Sequence, residues 1–128
     1  MNTNKKVIFI GNACTGKSKM VCYLTNAEYY SYSATFGAEV DPYVSPNGNK
    51  YNIWDCAGNQ KYGGLKEGYY LGADIAIIFT GGDENNNTPD CGDKSPMYYE
   101  NLVRDTAPYA LIFHVHNPSI DQIKQILN

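Results

Sequence analysis

The stretch Val7-Ile8-Phe9-Ile10-Gly11-Asn12-Ala13-Cys14-Thr15-Gly16-Lys17-Ser18 decides the fold. Its first four residues form a continuous apolar run, the pattern of a strand buried on both faces. Its last eight match G-x-x-x-x-G-K-[ST]. Residues 16–25 then read as a helix that opens on a glycine. A strand that turns through glycines into a helix aims backbone N–H groups and the helix dipole at one point, which suits a phosphate. There Lys17 places a point charge on the β and γ phosphates of a nucleotide, and the Ser18 hydroxyl is positioned to ligate Mg²⁺. A glycine-rich turn alone would say little; the strand before it and the helix after it make the pattern specific.

Outward from this stretch the chain alternates. Residues 38–44 and 51–54 read as strands joined across Ser45-Pro46-Asn47-Gly48-Asn49, where Asn47-Gly48 is a hairpin signal because both positions tolerate positive φ. Residues 73–80 contain Ile75-Ala76-Ile77-Ile78-Phe79, another strand of the doubly buried kind. Residues 81–96 are rich in turn formers and read as an exposed loop. Residues 96–106 read as a helix with Tyr99, Leu102 and Val103 on one side, and residues 109–115 as a strand. Ser119 caps a last helix whose Ile120, Ile123, Ile126 and Leu127 share a face. Strands alternating with helices, plus one hairpin, predict a three-layer α/β domain with a mostly parallel sheet and one antiparallel edge. Ligands of such sheets bind at the carboxyl ends of the strands. Asp55 closes the hydrophobic run Asn52-Ile53-Trp54-Asp55. Beside a phosphate loop, an Asp there belongs to the Mg²⁺ shell, and the Gly58 N–H can reach a γ-phosphate.

The 128 residues fit one domain, residues 1–128, with a core of its own. Apolar residues make up 43% and charged residues 18%, a globular composition rather than a disordered one. A net charge of −3 argues against a nucleic-acid binder, which needs a basic stripe. No apolar run is long enough to span a membrane, and the amino-terminal run is too short for a secretion signal. The expectation is a soluble intracellular protein, with neither membrane nor nucleic acid among its partners. Cys14, Cys22, Cys56 and Cys91 form no Cys-x-x-Cys pair, so free, partly buried thiols are expected rather than a zinc site.

Three further segments carry a family resemblance. Thr35-Phe36-Gly37-Ala38-Glu39-Val40 is similar to the first switch of small GTPases, and Trp54-Asp55-Cys56-Ala57-Gly58-Asn59 to their W-D-T-A-G-Q signature. Lys61-Tyr62-Gly63-Gly64-Leu65-Lys66-Glu67-Gly68-Tyr69-Tyr70 resembles K-F-G-G-L-R-D-G-Y-Y, the second switch of the Ran type within the Ras superfamily. The likeness runs from Lys6 to about Phe79 and returns weakly at Asn101-Leu102-Val103-Arg104. It implies a small G domain that binds GTP or GDP with Mg²⁺. It implies nucleotide contacts from Gly11, Ala13, Cys14, Thr15, Gly16, Lys17, Ser18, Thr35, Gly58 and Asn117. Ser18 and Thr35 would ligate the metal directly and Asp55 through water. Protein partners, nuclear-transport factors among them, would bind through Thr35-Phe36-Gly37 and the stretch from Lys61 to Tyr70.

The chain departs from the family pattern in four places. The glutamine that orients the attacking water aligns with Asn59, one methylene shorter, and Gln60 follows one position off. The γ-phosphate glycine positions carry Ala13 and Cys14, and the Ala13 Cβ crowds that approach. The guanine-reading N-K-x-D motif is replaced by His114-Val115-His116-Asn117, where an amide stands for the aspartate that accepts from two guanine N–H groups. The two histidines share a strand face without a third metal ligand nearby. The final strand and helix of a G domain have no counterpart, and no carboxyl-terminal cysteine box calls for prenylation. Three readings stay open: a slow Ran-like switch, a GTPase mimic that acts only by binding proteins, and a phosphate-loop hydrolase with another base preference.

Overall fold

A computed structural model of the chain describes residues 4–11, 15–25, 38–56, 70–81 and 95–128. Its elements are β1 (Lys5–Gly11), α1 (Lys17–Thr25), β2 (Ala38–Val44), β3 (Lys50–Cys56), β4 (Ile75–Thr80), α2 (Pro96–Thr106), β5 (Leu111–His116) and α3 (Ile120–Ile126). The five strands form one sheet in the order β2-β3-β1-β4-β5. β1 pairs in parallel with β3 and β4, and β4 with β5; β2 and β3 are antiparallel. The predicted fold class is the observed one, a mixed α/β sheet, mostly parallel, with one antiparallel edge hairpin.

The period of two along each strand builds a core on both faces. Val7, Phe9, Ile53, Ile75, Ile77, Phe79 and Val115 meet Met20, Val21 and Leu24 of α1 and Ile123 and Leu127 at the carboxyl end. Ile8, Ile10, Ala76 and Ile78 meet Tyr99 and Val103 of α2 together with Tyr70. β1 and β4 are apolar at every position from Val7 to Ile10 and from Ile75 to Phe79 because both of their faces are covered. Full burial of each such side chain stabilises by about 1.5–3 kcal/mol.

Local chemistry sets the helix ends. The Ser95 hydroxyl accepts from the Tyr98 N–H at 3.3 Å ahead of Pro96, which needs no partner at the first helical position. Ser119 does the same for Gln122 at 3.2 Å. The expected apolar face of this last helix is the buried one, with Ile123 and Leu127 sealed and Ile120 and Ile126 packed beside them. Beyond α3, Asn128 O accepts from Asn49 Nδ2 at 3.1 Å, so the carboxyl-terminal segment ties β5 back to the β2–β3 hairpin across the α1 face.

Two strand starts and one turn differ from expectation in ways that contacts explain. β4 begins at Ile75, because the Asp74 carboxylate accepts from the Lys6 N–H at 2.8 Å and the Lys6 ammonium donates to Leu71 O at 2.7 Å. β5 begins at Leu111 because Ala110 N–H bonds Ala107 O in a turn, which leaves Tyr109 96% exposed. The hairpin forms, but not as a two-residue turn with two positive φ values: Asn47 keeps a negative φ and only Gly48 is positive. Pro46 presets a Ser45-to-Gly48 turn, with Gly48 N–H on Ser45 O at 2.9 Å, and the ladder resumes with Ser45 N–H on Asn49 O at 2.8 Å.

Candidate functional site

The parallel strands end side by side at one edge of the sheet. Register places Asp55 level with Phe9, Gly11 level with Phe79, and Thr80 level with His116. Gly11 turns out of β1 at a φ of 141°, pressed against β4. A Cβ there would overlap the Phe79 carbonyl oxygen and lie 3.2 Å from Phe79 N. Only glycine lets the chain leave the sheet at this point and begin the loop.

The loop delivers Lys17 back to where it started. The Lys17 ammonium donates to Gly11 O at 3.1 Å and to the Thr15 hydroxyl at 3.3 Å, and the side chain is buried. Asp55 is the other buried charged side chain among the described residues, 1% exposed at the end of β3. Burying charge is costly unless it is compensated. Here Lys17, at the start of α1, and Asp55, near the end of β3, are the two buried charges at the edge where a ligand is expected. Lys17 opens α1, whose first turn closes with Met20 N–H on Gly16 O at 2.9 Å. A cationic head held by backbone and hydroxyl oxygens at a helix start has the chemistry to take a phosphate.

Gly11, Thr15, Gly16, Lys17, Asp55 and Asn117 thus lie along this edge. Ser18 is in the first turn of α1, with its side chain outside the described residues. Ala13, Cys14, Thr35, Gly58 and Asn59 also lie outside them, as do residues 36–37 and 61–69 of the expected partner surface and residues 82–94 of the expected loop. Tyr70 corrects that partner surface. It is 2% exposed in the α2-side core, so it anchors the end of the stretch instead of meeting a partner. The two histidines go separate ways: His114 Nε2 lies 2.6 Å from a Glu100 carboxylate oxygen and His116 Nδ1 lies 3.0 Å from Thr80 Oγ1. No group of three His, Cys, Asp or Glu that could hold a metal occurs among the described residues.

Sequence reasoning missed Thr80 as part of this edge, and met His116 only as a replacement within the base-reading motif. The signal was a hydroxyl closing the apolar run of β4 and an imidazole beside Asn117.

Fold and site together define a phosphate-loop nucleotide-binding domain. The chain matches the family described as Roc, the Ras of Complex, Roc, domain of DAPkinase, over residues 6–118. It belongs to that family, and so to the GTP-binding domains of the Ras superfamily. The match covers the described strands, apart from Lys5 at the start of β1, and ends just before α3.

Proposed function

We propose that this domain, over residues 1–128, is a Ran-like nucleotide switch. It binds GTP or GDP with Mg²⁺, hydrolyses slowly, and meets protein partners through residues 35–37 and 61–69. The observation that carries the reading is Lys17, folded into its own loop on Gly11 O and Thr15 Oγ1 beside the buried Asp55. Mg²⁺ suits the donor set, which consists of oxygens only: the Ser18 and Thr35 hydroxyls directly and Asp55 through water. When bound, the ion neutralises charge on the β and γ phosphates. Lys17 supplies a further positive charge for the same phosphates. Gly11, lacking a Cβ, lets the end of β1 lie close against Phe79 of β4. Asn59 in place of glutamine, with Ala13 crowding the γ-phosphate, accounts for slow hydrolysis, since a small displacement of a water-positioning group costs on the order of a hundredfold. Nuclear-transport factors are the partner class the second-switch likeness favours. An intracellular location, nuclear and/or cytoplasmic, away from membranes and nucleic acids, completes the reading.

One observation favours a looser base choice within the same reading. Asn117, immediately after β5, offers an amide where guanine reading calls for a carboxylate. The test is to denature protein purified in Mg²⁺ and identify the released nucleotide by chromatography. Near-stoichiometric GDP or GTP supports the switch. An adenine nucleotide supports the hydrolase with another base preference. Protein that is free of nucleotide and takes up none supports the mimic.

A further inference from the structure

Among the described residues, β5 has a neighbouring strand on one side only, β4. The Leu111 N–H donates to Asp74 O at 3.0 Å and the Asn117 N–H to Thr80 O at 3.1 Å. Alternate residues of a strand bond the same neighbour, so Leu111, Phe113 and Val115 turn their backbone groups to β4. The N–H and C=O groups of Ile112, His114 and His116 therefore face outward from the sheet. Nothing on β5 guards this edge, for residues 111–116 include no Lys, Arg, Asp, Glu or Pro. The opposite edge of the sheet is guarded. The Ser45 N–H bonds Asn49 O, so the even positions of β2 face outward, and Pro42 at one of them has no N–H to offer. Asp41 beside it adds a charge.

The side chains of the open edge are apolar on one face. Leu111, 61% exposed, shares that face with Phe113 and Val115. Between it and α3 runs a groove of about 390 Å³ lined by Phe113, His114, Val115, Gln122, Gln125 and Ile126. On the other face Ile112 packs against the α2-side core, and His114 Nε2 lies 2.6 Å from a Glu100 carboxylate oxygen.

We propose that β5 pairs with β5 of a second copy of this chain, antiparallel about a twofold axis at Phe113. In this register Phe113 opposes Phe113, and Leu111 of each copy opposes Val115 of the other and enters its groove. Ile112 of each copy opposes His114 of the other, where outward-facing residues exchange both backbone hydrogen bonds. An axis at His114 would instead set imidazole against imidazole and Leu111 against Asn117. Charge favours a second copy as the occupant. The whole chain carries −3, so two copies repel over most of their surfaces. Along β5 they meet without a like-charged pair: Gln122 and Gln125 line the groove, and on α2 Glu100 is offset by Arg104 at 3.1 Å. The inference does not depend on nucleotide binding.

The experiment is sedimentation equilibrium of the full chain at rising concentration. The wild-type mass is expected to climb from 14.2 kDa towards twice that value. Leu111→Lys is expected to weaken the dimer about thirtyfold or more, because twofold symmetry removes the apolar contact twice. Val44→Lys is the control, since Val44 is 57% exposed on the guarded edge, and this variant should dimerise as the wild type does. A wild type still monomeric at about 1 mM overturns the inference, as does equal weakening by the two lysines. Oxidative crosslinking then locates the axis. Phe113→Cys should form a disulfide-linked dimer above the background that the native cysteines give the wild type, because opposed residues of an antiparallel pair lie about 4.5–5.5 Å apart. His114→Cys, diagonal to its own copy, should stay at that background. Crosslinking at position 114 in preference to 113 overturns the inference.

Discussion

Replacing Gly11 by alanine drives a methyl group into the Phe79 carbonyl oxygen, with Phe79 N at 3.2 Å and Phe79 C at 3.3 Å. All three atoms are backbone of β4 in the middle of the sheet, so no side-chain rotation relieves the overlap. Overpacking a closed site costs about 1–3 kcal/mol. The φ of 141° adds about 1–3 kcal/mol for a residue with a Cβ. The reduced entropy of the unfolded chain returns about 0.4–1 kcal/mol. The net loss is about 1–6 kcal/mol, a large part of a typical domain's stability of about 5–15 kcal/mol. Gly16→Ala is the matched control. Its φ is also positive, at 88°, but nothing lies within 4 Å of its added Cβ, so it should lose only about 1–2 kcal/mol. Urea denaturation of both variants, with nucleotide and Mg²⁺ held constant, gives the comparison. Equal losses would refute the claim that β1 leaves the sheet in contact with β4.

Three further outcomes follow from the same structure. Glu100 is held below the ordinary glutamate pKa, first by its hydrogen bond with His114 and then by that from Arg104. A carboxyl depressed in this way stabilises the fold above its unfolded pKa and loses that contribution as pH falls through the folded value. Glu100→Gln should therefore lower the melting temperature at neutral pH, and the gap should close on acidification below the usual glutamate range. Ile123, fully buried between α3 and the sheet, should cost about 2–5 kcal/mol in chemical denaturation when cut to alanine. In single-turnover hydrolysis, Ala13→Gly combined with Asn59→Gln should recover more activation free energy than the two single changes summed, because both act on one water and one phosphate.

The sheet was legible because its central strands are apolar without interruption, and the phosphate loop because motif and context coincided at Gly11 to Ser18. What escaped was set by contacts distant in sequence. Asp74 looks like the start of a strand until its carboxylate is seen on the Lys6 N–H, 68 residues away. Tyr109 looks like a strand residue by composition, yet the turn that joins Ala107 to Ala110 leaves it in solvent. Tyr70 reads as the end of a partner surface until the α2-side core closes over it. His114 and His116 differ by two positions and share a strand face. Their roles separate only because Glu100 of α2 meets one and Thr80 of β4 the other. Asp55 was legible as a strand-ending carboxylate, but its near-complete burial beside the phosphate loop was not.

Calorimetric titration of Mg²⁺–GTP into the wild type and into Lys17→Ala tests the central claim most directly. Lys17 is a buried cation on two oxygens of its own loop, placed to take phosphate instead. Losing a charged contact is worth about 1.5–3 kcal/mol per hydrogen bond, and more than one is lost. The account predicts Mg²⁺-dependent binding by the wild type and a loss of more than about a hundredfold in the variant. Equal affinity of the two proteins for Mg²⁺–GTP would contradict it.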